Sequence, residues 1–164
     1  MKSVVFIIYF ITLAGCYNQK SPIKTGFEGN SLPVFSMILP DSITHVNTGN
    51  IPNGQAVVLF YFSPRCPFCR AQMDEIIGSI SSMKKIRFYI FTTWPFDELR
   101  DFYRHYQLNK FSNIVVGLDY NNFFANHFKA QGVPYIAVYG KDKKLKEVFV
   151  GNVYGKQIKE VAEN

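Results

Sequence analysis

The chain is poor in cysteine, with three among 164 residues: Cys16, Cys66 and Cys69. So few thiols, in an odd number, exclude a disulfide-dense scaffold and leave each one a candidate for a separate role. The three histidines, His45, His105 and His127, are scattered without ligand spacing. Cys66 and Cys69 therefore lack the two further ligands that a closed zinc site needs, and no metal is expected. Acidic residues are the minority, 12 Asp and Glu against 18 Lys and Arg, for a net charge of +6. No basic stripe interleaved with exposed aromatics accompanies that excess, so nucleic acid is not an expected partner. Solubility or attraction to an anionic membrane surface accounts for it equally well. A Gly-rich phosphate loop, a paired-carboxylate arrangement, internal repeats and low-complexity segments are all missing, and no cofactor is expected. A long hydrophobic run is missing too. Val4 to Leu13, interrupted only by Thr12, is too short to cross a bilayer core of about 30 Å as a helix.

What is present is a globular composition, 48% hydrophobic and 16% aromatic. It is long enough for one well-buried α/β domain and too short for two. The short apolar run suits the h-region of a secretory leader behind Met1-Lys2-Ser3. Leu13-Ala14-Gly15-Cys16 then resembles the bacterial lipobox. That resemblance implies a signal peptide over 1–15, a lipid on Cys16 and a location in the cell envelope, anchored to a membrane and facing away from the cytoplasm. Residues 16–31, polar and without periodicity, are expected to be a flexible tether of roughly 20–25 Å r.m.s.. The domain itself is expected over 32–164.

Within the domain, Leu32–Leu39 and Ile43–Val46 around the turn Pro40-Asp41-Ser42 predict an N-terminal β-hairpin. Ala56–Phe62 is nearly all apolar, as in a strand buried on both faces. Helical spacing of Met73, Ile76, Ile77 and Ile80 follows, then a strand at Ile86–Phe91. A helix opens at Thr93–Leu99 with acidic residues in its first turn and His105 near its end, matching the helix dipole. A further strand (Asn113–Leu118), a short helix (Asn121–Ala130), a strand entered through Val133-Pro134, a strand at Leu145–Val150 and a helix at Tyr154–Ala162 complete the order. Lys141–Lys146 is expected to be a solvated hairpin tip. The alternation of elements predicts an α/β fold with a mixed central sheet flanked by helices.

The chemistry concentrates at Cys66-Pro67-Phe68-Cys69, where a strand hands over to a helix. Thiols at i and i+3 in this setting form a dithiol/disulfide switch. The helix N-terminus supplies partial positive charge and unpaired N–H groups that favour a thiolate on Cys66. Pro67 suits the first helical position, because its φ is already helical and its missing N–H would have no partner there. Arg65 and Arg70 add full positive charges on either side. Trp94 follows the end of a neighbouring strand, at the edge where sites gather in α/β sheets. It is expected to line a substrate groove, the competing expectation being a tryptophan that closes the core.

The cysteine pair, the Val-Pro entry into a later strand, and the closing hairpin and helix together resemble the thioredoxin superfamily. The N-terminal hairpin and an additional αβ element before Val133-Pro134 are similar to its membrane-tethered TlpA/ResA-like branch. The resemblance implies a thioredoxin-like fold and a cis Val133–Pro134 bond facing the dithiol, with Val133 and Pro134 holding a substrate strand. It also implies exchange of disulfides with partner proteins and with a redox partner not identified by sequence. Cys66 would attack and Cys69 would resolve, with the chain acting as a reductant. An oxidant that donates its disulfide, and a non-catalytic module that holds a protein or a copper ion, are the alternatives. Three positions depart from the pattern: Arg65 replaces a tryptophan, Phe60 a buried aspartate and Gln72 a glutamate. No proton acceptor for Cys69 is evident.

Overall fold

The computed structural model describes residues 19–164; the expected leader and Cys16 lie outside the described residues. The chain runs β1 (Ser36–Ile38), β2 (His45–Asn47), β3 (Ala56–Tyr61), α1 (Pro67–Ser79), β4 (Ile86–Thr92), α2 (Phe96–His105), β5 (Ile114–Leu118), α3 (Phe123–Phe128), β6 (Tyr135–Tyr139), β7 (Leu145–Val150) and α4 (Gly155–Glu163). The strands form one mixed sheet in the order β2-β1-β5-β4-β3-β6-β7. β3, β4 and β5 are parallel, and β6 runs antiparallel to β3. The expected hairpin is present, with Met37 opposite Val46.

β3 has strands on both sides and helices over both faces, which is why its alternation of polar and apolar residues is lost. Val58 and Phe60 face α1, α2 and α4, where they meet Met73, Ile76, Leu99, Phe102 and Ile158. Val57 and Leu59 face the other way, toward Phe124 and Phe128 of α3 and Phe35. Each such side chain, taken wholly out of water, contributes about 1.5–3 kcal/mol. Phe60 is part of this core and is fully buried.

α1 is stitched along its length to the turn between β7 and α4. Asn152 Nδ2 donates to Phe68 O at 2.8 Å. The Gln72 side chain bonds both polar groups of Val153, donating from Nε2 to O at 3.0 Å and accepting from N at 2.7 Å. Glu75 Oε1 accepts from Gly155 N at 2.8 Å, satisfying one of the open donors that begin α4. Gly155 is needed there because a Cβ would collide with the Ser79 hydroxyl of α1.

The expectation of a flexible tether over 16–31 is corrected for residues 20–31, which are docked on the far edge of the sheet. Ile23 N donates to Val148 O at 2.8 Å, Gly29 N to Leu145 O at 2.8 Å, and Leu32 N to Lys143 O at 2.9 Å. Lys20 is held through both backbone groups by Gln157, and Phe27 stacks on His127 at 4.7 Å. The polar composition of this stretch hides the reason: β7 has an unpaired edge, and backbone N–H and C=O groups satisfy it whatever the side chains. The hairpin tip is also less solvated than expected. Lys143 is buried and its Nζ donates to Gln55 O at 2.9 Å.

Candidate active site at the start of α1

Cys66 is the N-cap of α1, extended at φ −76° and ψ 121°, with Pro67 in the first turn. Proline there commits the helix to start, and the start places the Cys66 side chain beside the unpaired N–H groups of that turn. Cys66 is partly exposed, whereas Cys69, one turn later, is fully buried in the core. The two thiols therefore differ in access, and only Cys66 can meet a bulky partner.

Opposite Cys66 lies the segment entering β6. The Val133–Pro134 bond is cis, and Cys66 Sγ donates to Val133 O at 3.9 Å. Val133 is half-buried and Pro134 buried, so the structure brings Cys66, Cys69, Val133 and Pro134 to one place. Phe68, between the two cysteines, is exposed apolar surface at its edge.

Cys69 Sγ accepts from Ser63 N at 3.5 Å. Burial pushes its thiol up to about 12; the Ser63 N–H opposes this and the neighbouring Cys66 adds to it. Gln72, one turn beyond, does not serve as a proton acceptor, because both ends of its amide are engaged by Val153.

A thiol held neutral by the fold ties stability to pH. Unfolded thiols ionise from about pH 8.5, while folded Cys69 keeps its proton, so above that pH the native state binds more protons than the unfolded state. Stability of the dithiol form is expected to fall from about pH 9 upward, by as much as about 1.4 kcal/mol per pH unit. Urea unfolding between pH 8 and 10 checks this: Cys69→Ala flattens the dependence, and an equal slope in that variant refutes the assignment.

Arg65 departs from its expected role of stabilising the Cys66 thiolate. Its Nε and Nη2 donate to the two carboxylate oxygens of Glu98, at 2.9 and 2.6 Å. The guanidinium also lies over the Trp94 ring, 4.9 Å from its centroid. The competing carboxylate is 33 residues away in sequence, so adjacency to Cys66 alone misassigned the charge. Arg70 turns away likewise, its Nε donating to Pro64 O at 3.0 Å. Trp94 is half-exposed and belongs to neither core cluster; it supports Arg65 beside the dithiol and does not close the core. Glu98 is the residue that sequence reasoning missed; its only signal was an acidic residue in the first turn of α2. Among the described residues no cluster of three or more His, Cys, Asp or Glu is arranged to hold a metal ion.

The sequence matches no protein-family model and no curated protein. Solved structures do match its fold. StoA from Bacillus subtilis superposes with a TM-score of 0.62 at 16% identity, over 80% of this chain and 97% of that one. DsbF from Mycobacterium tuberculosis gives 0.66 at 16% identity, over 78% and 92%. A secreted disulfide oxidoreductase of the same organism, homologous to Escherichia coli DsbE, gives 0.65 at 15% identity, over 78% and 93%. At such identities the likeness establishes the fold, which is thioredoxin-like.

Proposed function

We propose that this chain is a thiol–disulfide oxidoreductase that works outside the cytoplasm, reduces disulfides of partner proteins and is anchored by lipid on Cys16. The observation that carries the reading is an accessible Cys66 at a helix N-terminus, facing the cis Val133–Pro134 segment with Cys69 buried behind it. Two structural neighbours support it, one a secreted disulfide oxidoreductase and the other, DsbF, described in mixed oxidised and reduced forms.

The chemistry runs in two exchanges. The Cys66 thiolate attacks one sulfur of a partner disulfide; a bond forms between Cys66 and that sulfur, and the second partner sulfur leaves as a thiolate and takes a proton. Cys69 then gives up its proton and attacks Cys66 Sγ, releasing the first partner sulfur as a thiolate, which takes a proton in its turn. The partner has gained two electrons and two protons, and the chain holds a Cys66–Cys69 disulfide. Val133 and Pro134 shape the wall against which the partner strand lies, and Trp94 borders the same opening. Pro67 contributes by fixing the helix start that favours the attacking thiolate.

The charge arrangement supports the reducing direction. A strong oxidant is one whose dithiol form is stabilised as thiolate, and here the cation nearest in sequence, Arg65, is paired with Glu98. Insulin-disulfide reduction with a chemical reductant as electron source tests the activity; no turnover by the unmutated protein would leave only a binding module. The potential of the couple tests the direction. A value near thioredoxin's, about −270 mV, is expected, and one near DsbA's, about −120 mV, overturns it.

Docking of residues 20–31 alters how an anchored domain would be held. From Cys16 to Lys20 the chain extends at most about 14 Å, so the leash is short and the domain stays against the membrane. Cys16→Ser is expected to move the protein from the membrane pellet to the soluble fraction. Equal pelleting of that variant, with no acyl mass on the unmutated N-terminus, refutes the anchor.

A further inference from the structure

We propose that Glu98 governs the reactivity of Cys66 by holding the Arg65 guanidinium against Trp94 and so withholding the neighbouring cation from the thiol. The proposal rests on the reading of Cys66 as the nucleophile and adds a positioning residue that acts on it through Arg65.

Arg65 immediately precedes the N-cap, and its side chain has two directions open to it, over Cys66 or across to α2. Two features hold it in the second. The pairing with Glu98 is a fork-to-fork contact through both carboxylate oxygens, the geometry in which arginine binds carboxylate most strongly. The Trp94 face beneath the guanidinium adds a cation–π contact. The partners are also unequal in freedom: the Glu98 side chain is 19% exposed and that of Arg65 70%. The carboxylate is thus part of the wall, and the guanidinium is the group that comes to it. A carboxylate in the first turn of α2 is itself favoured by the helix dipole, so Glu98 has a reason to stay where it is when Arg65 moves.

Among the described residues the other cations near the start of α1 are Arg70, the Lys20 ammonium beside Gly151 and, when protonated, His105 in the cleft that Arg65 lines. Arg65, Glu98, Arg70, Asp101 and His105 line one cleft of about 390 Å³ beside the N-terminus of α1. Arg70 is turned to Pro64 O and Arg104 to Asp101. Asp97 adds a second negative charge acting on Arg65. The segments that face Cys66 and Phe68 from the other side, Gln131–Pro134 and Gly151–Tyr154, contribute no charged side chain, and Tyr154 is their only titratable one. Cys69 is buried and neutral. The balance of charge at Cys66 therefore depends in part on whether Arg65, its neighbour in sequence, is paired.

Release of Arg65 should stabilise the thiolate and, with it, the dithiol form of the couple. In Glu98→Gln, alkylation of Cys66 by iodoacetamide at pH 6 should be about threefold faster, the tenfold gain in thiolate being partly offset by its lower nucleophilicity, with the midpoint of its pH profile displaced to lower pH by about one unit. At a pH above both midpoints the same one-unit shift is a tenfold change in the redox equilibrium and makes the couple about 30 mV more oxidising. In the double variant Glu98→Gln/Arg65→Gln both quantities should return to the unmutated values, because the released charge is gone. An unchanged profile in Glu98→Gln overturns the proposal. So does a shift that persists in the double variant, which would assign the effect to packing of α2. Near-ultraviolet circular dichroism of each variant confirms the fold. The readout is the chemistry of the Cys66 thiol, not partner reduction, so failure of the oxidoreductase reading and failure of this one are seen in different assays.

Discussion

Cys66→Ser is expected to abolish disulfide reduction, and Cys69→Ser to halt it at a covalent complex with the partner. The asymmetry comes from burial and reach. Cys66 is the exposed member of the pair, and a serine hydroxyl there forms no bond to a partner sulfur, so the first exchange never begins. Cys69 is fully buried, and its removal leaves that first exchange intact while deleting the thiol that ends it. Non-reducing electrophoresis after mixing each variant with oxidised insulin distinguishes them: a reductant-sensitive adduct for Cys69→Ser, none for Cys66→Ser. Adduct formation by Cys66→Ser would transfer the nucleophile's role to Cys69 and refute the arrangement proposed for the site.

The largest effect on stability is expected at Gln72. Its side chain is wholly buried and pairs with both backbone groups of Val153. Gln72→Ala strands a buried N–H and a buried C=O, each costing about 1–3 kcal/mol when unpaired, in addition to the space the side chain vacates. A loss of about 3–5 kcal/mol is expected, a large part of the 5–15 kcal/mol typical of a domain. Urea unfolding at pH 7 measures it, and a loss below about 1 kcal/mol would show that water substitutes for the amide. Gln72→Glu sharpens the point. One carboxylate oxygen still accepts from Val153 N, but the other faces Val153 O, which only a protonated acid satisfies. The folded-state pKa of this new acid should therefore lie above its unfolded value, so the variant is expected to lose stability as pH rises from about 4.3.

How much of this was legible in the sequence differs from element to element. Strand β3 was readable because burial on both faces leaves an unbroken apolar run. The start of α1 was readable because Pro67 and the cysteine spacing act within one helical turn. Residues 20–31 were misread because edge pairing is made by the backbone, which leaves no mark in side-chain composition. Gln72 could be seen as a departure from the family pattern, but its partner Val153, 81 residues away, could not.

The sequence alone determined the pair of thiols, their order along a helix and the strand that presents them, since each depends on neighbours within a few residues. Tertiary structure decided what those thiols experience. Burial of Cys69, the Val133 carbonyl opposite Cys66 and the capture of Arg65 by Glu98 all come from contacts between elements far apart in the chain. Field and desolvation depend on distance in space, and the chain reveals that distance only when it is folded.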